Sequence, residues 1–273
     1  MRSEDQTASI IILCGEKHLP YQRPQLTKGF LGSELDVPQM AIHSPRFYTE
    51  RHIELLLGVR AVGVGLAAHT VRTSDAHTFH YSKLLIATGA SARVPDLPNA
   101  TIRGVYSLHS ADDVAVIRDA AAHAEHAVVL GASFVGLEVA ASLRTLRLNV
   151  TLLERGPRVL PLLGSQTLSD QFTRRCSERG IDVLLNRSIC EFVGKESIEA
   201  VVTDQGELMQ CDLVVVAIGV MPNCEFLRGS GLALEDGIVV DEFLRSSDPD
   251  VFTAGDVASF PDPVFGVRRR IEN

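Results

Sequence analysis

Apolar positions in this chain come in two kinds of run, and their alternation predicts an α/β fold built on parallel strands. One kind is short and continuous, as expected for strands buried on both faces. The other recurs at helical spacing. Both meet at residues 127–154. The apolar run Ala127 to Leu130 stops at Gly131, and Gly131-Ala132-Ser133-Phe134-Val135-Gly136 then opens a segment with helical periodicity. Phe134, Leu137, Ala140, Ala141 and Leu143 fall on one face of that helix. Asn149 closes it, Val150 to Leu153 form a second apolar strand, and Glu154 follows at once.

The other runs extend this reading in both directions. Ser9 to Leu13 is a β-branched strand that stops at Gly15-Glu16. A loop with two prolines, His18 to Lys28, leads into a short helical turn, and Phe47 to Leu57 reads as a helix. Short, turn-rich alternation from Gly58 to Tyr81 predicts an antiparallel meander, and Leu84 to Ala87 a buried strand ending at Thr88-Gly89. Pro95 and Pro98 mark a linker, and Ser110 to Asp113 has the spacing of a capping box for a helix over 113–122. Beyond Glu154 come a helix over 167–179 that stops at Gly180, a strand over Ile181 to Leu185, and a second meander over 189–210. Leu213 to Ile218 is a buried strand ending at Gly219; Gly237 to Val240 and Val251 to Asp256 complete the series.

The two halves repeat one order: strand, acid, loop, helix, strand, meander, then an apolar strand ending in Ala87-Thr88-Gly89 or Ala217-Ile218-Gly219. In the first copy, the strand, glycine turn and helix expected ahead of Ile10 are not in the sequence. The chain stops at Arg270-Ile271-Glu272-Asn273 without a polar tail, so it reads as cut short.

Composition narrows the function classes. At 273 residues there is room for two modest domains, and 45% apolar with 22% charged residues is ordinary for an α/β protein. The net charge of -8 argues against nucleic acid or an anionic membrane as partner. Arg268-Arg269-Arg270 reads as a solvated turn. No apolar run approaches the roughly 18 residues of a membrane-spanning helix. The polar start carries no secretory signal, which makes the cytoplasm the default location. Five cysteines (Cys14, Cys176, Cys190, Cys211, Cys224) stand singly, so a disulfide scaffold, a cysteine-rich metal site and a local redox dithiol are not expected. His77 and His80 read as exposed strand residues, and His109 has no acid or nucleophile beside it. Asp112 and Asp113 suit a helix N-terminus. No GxSxG or HExxH is present, and no metal site is expected.

The chemistry therefore centres on the glycine turn. Strand, glycine turn, helix, strand and terminal acid make a dinucleotide-binding βαβ unit. Gly131 permits the tight turn and Gly136 lets helix and strand pack closely. Ser133, Phe134 and Val135 open the helix, where amides and the positive dipole end face a pyrophosphate. Ser133 stands where a second glycine is usual, and its hydroxyl can donate to a phosphate oxygen. Glu154 lies about 20 residues on, where an acid accepts from a ribose 2′-hydroxyl and repels a 2′-phosphate. NADH is thus favoured, Arg155 and Arg158 leave NADPH open, and replacing Glu154 with Arg is expected to shift preference toward NADPH. Taken alone, the motif also fits a buried βαβ unit that binds nothing.

Together these stretches resemble the FAD-dependent pyridine nucleotide-disulfide oxidoreductase superfamily, in particular its ferredoxin-reductase branch. Tyr21-Gln22-Arg23-Pro24-Gln25-Leu26-Thr27-Lys28 resembles that branch's YxRPPLSK loop, and Ala87-Thr88-Gly89 its second FAD motif. Ala217-Ile218-Gly219-Val220-Met221-Pro222-Asn223 resembles AIGxxPN, and Thr253-Ala254-Gly255-Asp256 resembles TxAxGD. Gly131 to Glu138 and Phe260-Pro261-Asp262-Pro263 are similar to members like apoptosis-inducing factor. The resemblance implies two Rossmann-like domains, each a parallel sheet with helices plus a meander, the FAD-type one incomplete. Residues 1–99 and 224–273 would form the FAD-binding domain and 100–223 the NAD(P)-binding domain. It implies FAD and NAD(H) as cofactors, NADP(H) being less favoured, and a ferredoxin or Rieske-type iron–sulfur protein as electron acceptor.

The resemblance also implies roles for single residues. Glu16 would hold the FAD ribose, and Arg23 and Lys28 would line its pyrophosphate and ring. Ala87, Thr88 and Gly89 would back the adenosine, and Asp256 would accept from the ribityl chain. Gly219 belongs to the AIGxxPN turn. Lys28 and Glu138 would form the catalytic pair: a cation near the flavin favours its charged reduced form, and the carboxylate holds the cation in place. The alternative is a non-catalytic remnant that binds nucleotide or a partner.

Overall fold

The computed structural model describes residues 2–32 and 35–271; Glu272 and Asn273, at the expected cut, lie outside the described residues. Two compact units are present. One comprises residues 1–21, 41–91 and 221–273, the other residues 22–40 and 92–220.

The second unit holds a five-stranded parallel sheet in the order Ile181–Leu185, Asn149–Glu154, His126–Leu130, Leu213–Val216, Val105–Ser107. All four residues of Leu213–Val216 are buried, as a continuous apolar run at an inner position requires. Helix Phe134–Thr145 joins the third strand of that order to the second, and helix Gln166–Glu178 joins the second to the first. Helix Ala111–Ala121 begins at the expected capping box: Ser110 Oγ accepts from Asp113 N, and Asp113 accepts from Ser110 N at 2.7 Å. The meander Ile189–Val193, Ala200–Thr203, Leu208–Gln210 closes the core, with Phe192, Ile198 and Val201 packed on Val128, Leu130, Val214 and Val216.

The first unit has the same kinds of strand without a sheet of that width. Ile10–Cys14 pairs in parallel with Ile53–Leu57, and Leu84–Ile86 pairs in parallel with Val251–Thr253, as two separate two-stranded sheets. In the second unit one strand, His126–Leu130, lies between the equivalent pairs. Among the described residues of the first unit nothing takes that place. Ile11 and Leu85, on runs apolar enough for two-sided burial, are 38% and 53% exposed. The unit's core gathers instead around Ile86, Leu227, Ile238, Val251 and Val257. The meander Ala61–Gly65, Thr70–Thr73, Thr78–His80 is as expected from the sequence.

Three expectations are corrected. Residues 47–57 are not one helix: helix Pro45–Glu50 ends, His52 takes a left-handed φ of 49°, and Ile53–Leu57 is a strand. The run Ile53-Glu54-Leu55-Leu56-Leu57 suits either period, and parallel pairing with Ile10–Cys14 decides it. Phe134 does not join the helix's buried face but is 54% exposed, and Ser142 is buried there instead. The basic run is not a turn, though Arg268 and Arg269 are exposed as expected. Val267–Arg269 is a strand, and Arg268 donates to the Val240 and Ser259 carbonyls at 2.7 and 2.6 Å. Among the described residues no helix is long and apolar enough to cross a membrane.

Candidate nucleotide-binding site

The glycine turn sits at the C-terminal end of the central strand in the second unit, between His126–Leu130 and helix Phe134–Thr145. Its two glycines are dictated by backbone proximity. A Cβ on Gly131, where φ is +103°, would lie 2.4 Å from the Ala217 carbonyl oxygen, and one on Gly136 would lie 1.8 Å from the Gly131 oxygen. Ser133 is the helix N-cap, in extended conformation, its Oγ accepting from Gly136 N at 3.4 Å and lying 3.4 Å from the Ala217 oxygen. The serine hydroxyl thus has capping work to do beside any phosphate. The first-turn amides of Phe134 and Val135 have no intrahelical carbonyl to bond, which is the arrangement that suits an anion.

Glu154 ends the neighbouring strand and is 7% exposed. Its Oε2 accepts from Ala132 N inside the turn at 2.8 Å, and its Oε1 accepts from Gly156 N at 2.8 Å. The carboxylate therefore braces the turn's backbone. Gly131 N also donates to the Leu153 carbonyl at 2.8 Å, and Leu160 N to that of Ala132 at 2.9 Å. The cradle is stitched to its neighbouring strand at both ends, and its dimensions follow from glycine contacts that no other residue satisfies. It fits a dinucleotide diphosphate.

The loop predicted from Tyr21 to Lys28 becomes helical in two steps. A 3-10 turn, Arg23–Gln25, runs into a π-helical turn, Leu26–Phe30. These residues belong to the second unit, as does Glu138. Lys28 Nζ lies 3.4 Å from Glu138 Oε1, with the two side chains 57% and 35% exposed. The structure therefore brings together the pair singled out from the sequence. Thr27 Oγ1 donates to the other oxygen, Oε2, at 2.5 Å, and Ser142 Oγ donates to the Thr27 carbonyl at 2.6 Å. Sequence reasoning missed both Thr27 and Ser142. Their only signal was an i, i+4 spacing of Glu138 and Ser142 on one helix stripe, which names no partner 111 residues away. Arg23 Nη1 donates to the His109 carbonyl at 2.7 Å. Gly219 has φ +95°, and its carbonyl accepts from Arg93 N at 2.9 Å.

In the first unit, Glu16 Oε2 accepts from the Tyr21 hydroxyl at 2.6 Å. Backbone pairing shows its place in the repeat. Val59 N and Gly58 N donate to the carbonyls of Cys14 and Glu16, as Arg187 N and Asn186 N donate to those of Glu154 and Gly156. Cys14 thus holds the ladder position of Glu154, and Glu16 lies two residues beyond it. Exposed Ala87 and Thr88 follow strand Leu84–Ile86. Thr88 Oγ1 donates to the Asn223 carbonyl at 2.7 Å, and Asn223 returns bonds to the Thr88 and Gly89 carbonyls at 3.0 and 2.9 Å. Half-buried Asp256 follows strand Val251–Thr253 and Gly255. Among the described residues this unit carries no strand, glycine turn and helix like those at Leu130 to Thr145. Glu16 and Asp256, to which the resemblance gives the FAD ribose and ribityl chain, both lie in this unit, and no diphosphate cradle is found among its described residues.

Two units of one strand order, one with a braced glycine turn, have the plan of a two-nucleotide-binding fold. The pyridine nucleotide-disulphide oxidoreductase family profile matches residues 2–273, and the chain belongs to that family, in its ferredoxin-reductase branch. Among its relatives, rhodocoxin reductase of Rhodococcus erythropolis is 34% identical over 264 residues, covering 96% of this chain and 62% of the relative. Rubredoxin-NAD(+) reductase of Pseudomonas putida is 31% identical over 273 residues, covering 100% of this chain and 71% of the relative. The chain thus spans 62% of one of these relatives and 71% of the other. Of solved structures, the ferredoxin reductase for the CYP199A2 system from Rhodopseudomonas palustris superposes with a TM-score of 0.96 at 35% identity. It is matched over 100% of this chain and 67% of its own.

Proposed function

We propose that this chain is the nucleotide-handling part of an NAD(H)-dependent flavoprotein reductase that delivers electrons to a small redox protein. The observation that carries this reading is the Lys28–Glu138 pair, held one helical turn from a glycine cradle that only glycine can form. Gly131, Ser133, Phe134, Val135 and Gly136 would hold the NAD(H) diphosphate, with Glu154 bracing the turn through the Ala132 amide. In the second unit Lys28 would present positive charge to a flavin, with Glu138 orienting it and Arg23 meeting its phosphate; in the first unit Asp256 would accept from a ribityl hydroxyl. When bound, FAD accepts hydride and releases electrons singly, chemistry that the protein positions rather than performs. The electron acceptor would be a ferredoxin or rubredoxin-like protein, in keeping with the names of the relatives, or a Rieske-type one, and the location cytoplasmic.

A second reading rests on the first unit's two separate strand pairs: a remnant that binds nicotinamide nucleotide but retains FAD weakly or not at all. NAD(H) binding would then outlast FAD binding. Isothermal titration with NADH, a visible spectrum with and without added FAD, and NADH-dependent dye reduction separate the two. Heat with NADH plus a stoichiometric flavin spectrum and dye reduction supports the reductase. Heat with NADH alone supports the remnant, and no heat with either NADH or NAD+ sinks both.

A further inference from the structure

Among the side chains near the candidate site, Thr27 is the one whose geometry has a consequence for the pair beside it. It is 6% exposed, yet its hydroxyl is aimed at a partly exposed carboxylate. Glu138 offers two oxygens: Oε1 faces Lys28 at 3.4 Å and Oε2 takes the Thr27 hydroxyl at 2.5 Å. A hydroxyl has one proton to donate. The other acceptor in reach, the Pro24 carbonyl, is 3.5 Å away, so the proton goes to Glu138. Thr27 is itself fixed from behind. Its carbonyl accepts from Ser142 Oγ, and Ser142, 8% exposed, stands one turn beyond Glu138 on the same helix. Gly32 closes the arrangement, since a Cβ there would lie 3.3 Å from Ser142 Oγ. The π-helical turn Leu26–Phe30 carries Thr27 and Lys28 side by side, and such turns are frequent at functional sites.

We infer that Thr27 is a positioning residue: it fixes the Glu138 carboxylate so that one oxygen remains directed at Lys28. Without it, a glutamate 35% exposed would rotate into solvent, and the ion pair would loosen to the small worth of a surface pair. The catalytic side of this inference rests on the reductase reading above; the geometric side does not.

The test uses the full chain and two readouts. The first needs no cofactor: the rate at which the Lys28 amine is acylated by acetic anhydride, followed by mass spectrometry of the Lys28 peptide. E138Q should speed Lys28 labelling about two- to fivefold, the scale of a half-exposed ion pair. T27V should reach the same rate, and T27S, which keeps the hydroxyl, should stay near the native one. The second readout is NADH-dependent dye reduction with FAD added. T27V should lower kcat about tenfold, with KM for NADH changed less than about twofold. T27S should recover most of that loss, and T27V should add nothing in an E138Q background. Unchanged Lys28 labelling in T27V overturns the inference, as does a kcat loss of equal size with and without Glu138, which would mark Thr27 as packing alone. If native protein reduces no dye, the reductase reading fails, and the labelling rates still decide whether Thr27 holds Glu138 on Lys28.

Discussion

Glu154 shows how a residue chosen for one role can carry another. Both of its oxygens accept from backbone amides, one inside the glycine turn and one in the loop beyond the strand. Replacing it with Ala would leave two amides without acceptors, at about 1–3 kcal/mol for each that stays buried. Glutamine, with one acceptor oxygen, should fall between wild type and Ala in thermal melts. The Arg variant should lose affinity for NADH and NADPH together, and a clean exchange of preference in titration calorimetry would show that the brace is dispensable. Cys211 gives a second test at this scale. Burial pushes its thiol up to about 12, so it should resist alkylation at pH 9 while exposed Cys190 reacts. Its folded pKa is raised, so its contribution to stability is complete below the ordinary thiol pKa and is lost as pH rises from there toward about 12. Alkaline melts of C211A should lack that part of the decline. Motif spacing marked Glu154 in the sequence, and the family resemblance marked Lys28 and Glu138. The buried partners Thr27 and Ser142 were not legible, because nothing local records a contact across more than a hundred residues.

At the scale of elements, the strand–turn–helix is specified by contacts closer than any side chain allows. Gly136→Ala puts a methyl 1.8 Å from a carbonyl oxygen of the turn, so the helix must retreat from the strand. A loss of about 3 kcal/mol or more in chemical denaturation is expected, together with the heat of NADH binding. A variant that melts and binds like wild type would remove the cradle from the account. Elements bounded by caps were readable, as the capping box at Ser110 and Asp113 illustrates. Residues 53–57 were not, because an apolar run that short fits strand and helix alike until a partner strand is known. Val105–Ser107 escaped notice for a related reason: three residues are too few to display a period.

Over the whole molecule, the internal duplication was visible in the order of runs. What the sequence could not convey is how the first unit's strands settle: as two separate pairs beside a meander, with apolar positions uncovered. Local stability should follow this difference. Amides of Ile10–Cys14 and Leu84–Ile86 should exchange hydrogen faster than those of His126–Leu130 and Leu213–Val216. Equal protection factors in native-state exchange would contradict that ordering. The uncovered pairs also bear on how the protein behaves in a tube. Strand Ile10–Cys14 has a single ladder partner, Ile53–Leu57, among the described residues, so its other side can template the strands of neighbouring molecules. Turbidity should therefore rise with concentration despite the chain's net negative charge, and a lysine at Ile11, far from any nucleotide in sequence, should keep more of the material in the supernatant.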